Sequence, residues 1–258
     1  MGWAEAVAIF LAGTAAGTIN TIVGSGTLVT FPTLLAFGYP PVVANISNNI
    51  GLVPGGVSGT WGYRRELAGQ GRRLRLLAPM SFLGSVTGAV LLLILPAEAF
   101  ARIVPVLLAV SLVLVVLQPR IQASLQLRRA ARGHTRESRG HTALAAGGTY
   151  LAGIYGGYFG AAQGVLLVGL LGSLLPEPLQ RVNAAKNLLS LVVNSVAAVV
   201  FVVVAFDRVD WAVVGLIATG SLLGGLIGAG VGRRLPARVL RAVIVVVGTV
   251  AIWRILVS

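Results

Sequence analysis

The chain's only lysine, Lys186, stands between Asn183 and Asn187 inside a long apolar run. A charge within a membrane segment is costly and marks a functional site by default. An ammonium is a compact charge with three rotatable donors, so a lysine beside amides suits the clustered oxygens of a small oxyanion. The rival reading is a lysine snorkelling to the bilayer surface. Asn194 lies eight residues beyond Lys186, on roughly the same helical face. Asn20 sits in a second apolar run just before Gly24, Ser25, Gly26 and Thr27. A buried amide must find partners, and a glycine-rich break opening a helix can form an anion-binding nest. Helix–helix bonding for Asn20 and a plain tight turn for the glycines are the alternatives. Asn45, Asn48 and Asn49 are three and four apart, so one helical face can present two amides. Pro40 and Pro41 just upstream leave interfacial capping open for this group. Gln163 and Gly164 close the list at a second break, flanked by Tyr150, Tyr155 and Tyr158, which read as interface anchors.

Other chemistry is missing. His134 and His141 lie in or beside an arginine-rich stretch without acidic partners, a poor metal site. The seven acids, Glu5, Glu66, Glu98, Glu137, Glu177, Asp207 and Asp210, all fall near run ends or links. No nucleophile–base set appears, so the sequence predicts no enzyme, no metal and no cofactor. With no cysteine there is no disulfide.

The elements that must hold these residues follow from composition. Of 258 residues, 56% are hydrophobic and 10% charged, with mean hydropathy +0.90. A water-soluble globule of this size is about one quarter charged, so that class is excluded, and disorder with it. Twenty basic against seven acidic residues give +13. The arginines sit in links between apolar runs, which argues against nucleic acid as partner. The opening residues contain Glu5 and no basic region, so a cleaved signal peptide is not expected. Runs cover 4–22, 27–37, 42–61, 76–95 and 103–117, then 142–159, 165–175, 183–206, 211–231 and 239–257. They are too long and uniform for barrel strands. An all-α polytopic membrane protein is expected, with residues 1–118 and 142–258 as two transmembrane halves and 119–141 as an arginine-rich linker. Trp3, Trp61, Trp211 and Trp253 near run ends fit an aromatic belt.

Each half reads as a broken run, a short run, a proline turn and three crossings. A gapless offset of 138 pairs Gly26 with Gly164, Pro40 with Pro178, Asn45 with Asn183 and Asn49 with Asn187. Basic flanks favour the cytoplasm. If each half makes four simple crossings, 13 basic residues lie inside and seven outside. If each broken run and its successor form a hairpin returning to one face, the second half is inverted. The count then becomes 17 against three, the three being Arg102, Arg208 and Arg254. This arrangement puts both termini outside the cytoplasm and the arginine links, including Arg233, Arg234, Arg238 and Arg241, within it. Inverted halves with interrupted helices are a transporter architecture.

Residues 12–32, with Asn20, Gly24-Ser25-Gly26 and Pro32, resemble the first signature of the TauE/SafE sulfite-exporter family, also called DUF81 or TSUP. Residues 153–168, from Gly153 through Gly156-Gly157 and Gly160 to Gly164, resemble the second. The resemblance implies an inner-membrane carrier exporting a small sulfur-containing anion such as sulfite, sulfoacetate or a related sulfonate. Two departures stand out. Gly160-Ala161-Ala162-Gln163-Gly164 is poorer in glycine than the family pattern, and Asn45-Ile46-Ser47-Asn48-Asn49 replaces a commoner alanine-threonine-serine sequence. Expected partners are the anion and the lipid bilayer; coupling to a proton or cation and a homodimer are left open. A passive anion channel and a non-transporting scaffold are the alternatives.

Overall fold

The computed structural model describes residues 1–132 and 139–231, together with positions 242, 244–246 and 249. Arg136, His134, Glu137, Arg233, Arg234, Arg238, Arg241, Trp253, Arg254 and most of the 239–257 run lie outside these residues. The described chain is helical: α1 Trp3–Ile22, α2 Thr27–Ala36, α3 Pro41–Gly62, α4 Arg64–Leu67, α5 Gly71–Ile94, α6 Ala97–Arg132, α7 Arg139–Tyr158, α8 Gln163–Leu174, α9 Leu179–Val204 and α10 Trp211–Val231. Five of them, α1, α5, α6, α9 and α10, are long and apolar enough to cross a bilayer. The asparagines of α3 and the glycines of α7 lower the apolar character of those two helices. Large apolar side chains such as Leu11, Val106, Val199 and Leu226 point outward, as a lipid-facing surface requires. Trp3, Trp61 and Trp211 are exposed at helix ends. One expectation shifts: α6 does not stop at Leu117 but continues through Pro119 to Arg132, carrying helix into the arginine-rich stretch.

Helices α1 and α10 run side by side in the same direction, as do α5 and α7. Small residues make this possible. A Cβ added to Gly17 would overlap the backbone of Ser221, and one added to Gly157 would overlap that of Ser85. Hydroxyls bond across the packed helices: Thr18 Oγ1 donates to the Gly224 carbonyl at 3.0 Å across the α1–α10 seam, and Ser221 Oγ donates to that of Gly51 at 2.8 Å, tying α10 to α3.

The links sort onto two faces. On one, the Tyr39 hydroxyl donates to Glu5 Oε1 at 2.9 Å, so the link after α2 returns to the start of α1. Burial, then this bond to Glu5, pushes the Tyr39 phenol up to about 12. On the opposite face Glu177, in the link after α8, pairs with Arg73 at the start of α5 (3.0 Å) and with Arg181 (2.6 Å). Arg181 also donates to the Ala68 carbonyl at 3.0 Å. Because α7 runs parallel to α5, it begins on this same face. Both broken helices therefore turn back to the face they started from. Four simple crossings per half would have put Arg181 opposite Arg73, and the ion pair excludes that scheme.

Candidate functional site

Both broken helices end in the same way. Val23 and Gly24 N–H groups both donate to the Ile19 carbonyl, and Phe159 and Gly160 N–H groups both donate to that of Tyr155. Gly24 has φ +88° and Gly160 φ +79°, left-handed conformations that glycine adopts at helix ends without a Cβ penalty. Ala162 also has a positive φ, +59°, where an L side chain costs roughly 1–2 kcal/mol. The spacing of the helix bounds is not uniform between the halves. The broken helices end at Ile22 and Tyr158 and the short ones start at Thr27 and Gln163, in each case 136 apart, whereas α3 and α9 start at Pro41 and Leu179, 138 apart. α8 is two residues longer than α2, and the left-handed glycines Gly24 and Gly160 are likewise 136 apart.

The two breaks touch. Gly164 N–H donates to the Gly24 carbonyl at 3.0 Å. No side chain fits between them, since a Cβ on Gly164 would lie 2.5 Å from Gly24 Cα and 2.8 Å from Lys186 Cδ. The lysine stem thus runs along the junction.

A helix end leaves carbonyls without intrahelical donors, and these carry the negative end of the dipole. The polar residues of α3 and α9 meet them. Lys186 Nζ donates to the carbonyls of Asn20 (2.9 Å) and Thr21 (3.2 Å). Asn183 and Asn187 Nδ2 also donate to the Thr21 carbonyl, at 3.4 and 3.3 Å. In the other direction Asn45 Nδ2 donates to the Tyr158 carbonyl at 3.0 Å. Each hairpin's broken helix is therefore capped by the helix that follows the other hairpin. Lys186 is 0% exposed, so it does not snorkel.

The remaining candidates gather nearby. Asn48 Nδ2 donates to Thr27 Oγ1 at 3.3 Å, and its Oδ1 accepts from Thr30. Asn20 Oδ1 accepts the Gly26 N–H at 3.5 Å. Asn49 and Asn194 are buried. Ser25 Oγ, Gln163 Nε2, Asn45 Oδ1 and Asn49 Oδ1 are buried without a protein partner. Phe31, Phe100 and Phe159 stack edge to face across the junction at 5.2 and 6.2 Å. Among the described residues no group of His, Cys, Asp or Glu could hold a metal.

Two contributors, Gln118 and Ser111, escaped the sequence reading, and a third, Tyr155, has a role other than the one expected. Gln118 Nε2 donates to the Val23 carbonyl at 3.3 Å. Tyr155 OH donates to the Ala161 carbonyl at 2.6 Å, as does Ser111 Oγ at 3.2 Å. Tyr155 is thus a brace for the second break and not an interface anchor, and α6 supports both breaks. Ser111 was visible as the one polar residue of the 103–117 run. Gln118 carried no signal, because it stands where the arginine-rich stretch begins.

Long apolar helices around two abutting breaks define a multi-pass membrane protein of transporter type. Comparison with known proteins makes this specific: the profile of the family described as Sulfite exporter TauE/SafE matches residues 9–255, and the chain belongs to that family. It is a family of transporters, not enzymes. The probable membrane transporter protein YfcA of Escherichia coli (strain K12) is 27% identical over 94% of this chain and 86% of its own. The probable membrane transporter protein ORF9 of Sinorhizobium sp is 27% identical over 96% of this chain and 91% of its own. A probable membrane transporter protein of Haemophilus influenzae is 24% identical over 86% of this chain and 82% of its own. No solved structure gives a significant match.

Proposed function

We propose that the protein is a secondary transporter of the bacterial inner membrane that exports a small sulfur-containing anion, such as sulfite, sulfoacetate or a related sulfonate, by alternating access. The observation that carries this reading is the fully buried Lys186 lying along the Gly24–Gly164 junction. A fixed cation there attracts an anion, and helix breaks supply polar groups where a solute can be held within the bilayer. The anion is contacted by Lys186, Ser25, Gln163 and the backbone of Gly24, Gly26, Thr27 and Gly164. The amides of Asn20, Asn45, Asn48, Asn49, Asn183, Asn187 and Asn194 position the helix ends or line the path.

The two halves act as inverted-topology repeats that rock against each other. Supporting this are the like order of elements, the matched helix ends and the crossed capping. By the positive-inside rule the face carrying Arg64, Arg65, Arg72, Arg73, Arg75 and Arg181 is read as cytoplasmic, and both termini as extracytoplasmic.

Flux of sulfite, sulfoacetate, taurine and sulfate in proteoliposomes, with and without a proton gradient, tests the proposal. Saturable flux with counterflow is expected for at least one sulfur anion, reduced at least tenfold by Lys186→Ala. Unsaturable flux without counterflow would indicate a channel. Unaltered binding and flux of every anion in Lys186→Ala would reject the site.

A further inference from the structure

Lys186 raises a question of charge balance. Among the described residues its Nζ has two partners, the carbonyls of Asn20 and Thr21, and both are neutral. Among the described residues no carboxylate pairs with it. Glu5 bonds Tyr39 at the far end of α1, and Glu177 is held between Arg73 and Arg181 in a link. Glu66 lies in α4 and Asp207 in the turn beyond the other end of α9. The other helices packed on α9 bring no acid toward it. On α7 the ionisable groups nearest the break are Tyr155, whose hydroxyl is on Ala161, and Tyr158. On α8 there is no ionisable residue, and α3 presents amides.

A buried ion without a counter-charge is strongly disfavoured. The donor count leads the same way. An uncharged amine has two N–H donors, and two carbonyls receive them. An ammonium has three, and among the described residues the third finds no acceptor. The partial negative charge at the end of α1 offsets only part of a full charge. What an ammonium at this point lacks is one negative charge and one acceptor, and a bound monoanion supplies both.

We propose that the anion and a proton occupy the site together, the proton on Lys186 Nζ. In the empty site the amine is uncharged and bonded to Asn20 and Thr21. On loading, one proton from the aqueous face converts it to the ammonium, whose third N–H donates to the anion; on release both leave. The loaded site is then neutral overall, and the carrier is an electroneutral monoanion–proton symporter, so export runs down the anion's own gradient and a proton gradient acidic outside opposes it. A dianion would keep one uncompensated charge and is disfavoured. This rests on the assignment of Lys186 to the anion site.

The test uses the full-length protein in nanodiscs and methanesulfonate, which stays ionised throughout the working pH range. Titration calorimetry at one pH in two buffers of different ionisation enthalpy counts the protons exchanged. One proton taken up per anion bound is expected for the wild type, with affinity falling about tenfold per pH unit on the alkaline limb. Binding without proton uptake, or no binding at 10 mM, overturns the proposal. Lys186→Arg, which keeps a permanent charge, is expected to take up none; full uptake there also overturns it. If Lys186→Ala binds as the wild type does and takes up the same proton, the anion site itself falls. If anion flux depends on Lys186 and no proton moves, only the symport falls.

Discussion

Gly164→Ala is the sharpest perturbation of the junction. The added methyl group would sit 2.5 Å from Gly24 Cα, 2.9 Å from the Gly24 carbonyl oxygen and 2.8 Å from Lys186 Cδ. Two of these atoms are backbone and cannot swing away, so the hairpin tips must separate. Overpacking of this kind costs about 1–3 kcal/mol. Parting the tips also breaks the 3.0 Å bond from Gly164 N–H to Gly24, and a buried group left unsatisfied costs about 1–3 kcal/mol more. The sum is about 2–6 kcal/mol, which for a chain of this size lowers the melting temperature by on the order of 5–20 °C. Gly215→Ala is the matched control. It too is a helical glycine, with nothing within 4 Å of the added Cβ, and better helix propensity makes it neutral or slightly stabilising. The four tryptophans allow both variants to be melted by intrinsic fluorescence in one detergent. Anion flux should fall at least tenfold in Gly164→Ala and stay unchanged in Gly215→Ala. If the two melt within 2 °C of each other, the close abutment of the breaks is wrong.

Tyr155→Phe leaves Ser111 still bonded to the Ala161 carbonyl, so it should cost only about 1 kcal/mol. Adding Ser111→Ala strands that carbonyl, and a double-mutant cycle in thermal melts should show a coupling of about 1–3 kcal/mol; simple additivity would contradict a shared brace. Burial alone would raise the Glu177 carboxyl, but hydrogen bonds from Arg73 and Arg181 outweigh it and hold the group below its ordinary 4.5. The stability it lends is therefore present above that value and lost as pH falls through the lower, folded one. Acid melts should show this loss, and Glu177→Gln should abolish it. With no native cysteine, single cysteines placed at Arg65 and Arg181 should both be labelled from the cytoplasmic side alone and one at Asp207 from the other; any other pattern reverses the assignment of faces.

Much of this was legible in the chain. Apolar runs revealed the class, because bilayer thickness acts on sequence directly, and arginine placement favoured hairpins over simple crossings. Lys186 and its neighbouring asparagines also stood out, since polar groups in apolar runs are rare. Their work as caps on the other hairpin's helix end was not legible: it depends on which helix crosses which, and the acceptors are backbone carbonyls common to every residue. The break register was not legible for a related reason. Identity at Gly26 and Gly164 pointed to one offset, whereas the backbone places its left-handed glycines at Gly24 and Gly160. Gln118 was hidden by its neighbours, with α6 running on where the composition turns polar.

The parallel seam between α1 and α10 has a consequence for how the protein is made. The glycine face of α1 has its partner some 190 residues later in the chain, at Trp211–Val231. At roughly 5–20 residues per second, α1 waits about 10–40 s after synthesis before that partner emerges. Throughout that interval its small-residue stripe faces lipid or the insertion machinery, open to mispairing with other nascent helices. The first half cannot reach its final packing until the second is made, because α1 needs α10 and α5 needs α7. Assembly is therefore a late, concerted event, and truncation before residue 211 should yield a product that is inserted but degraded.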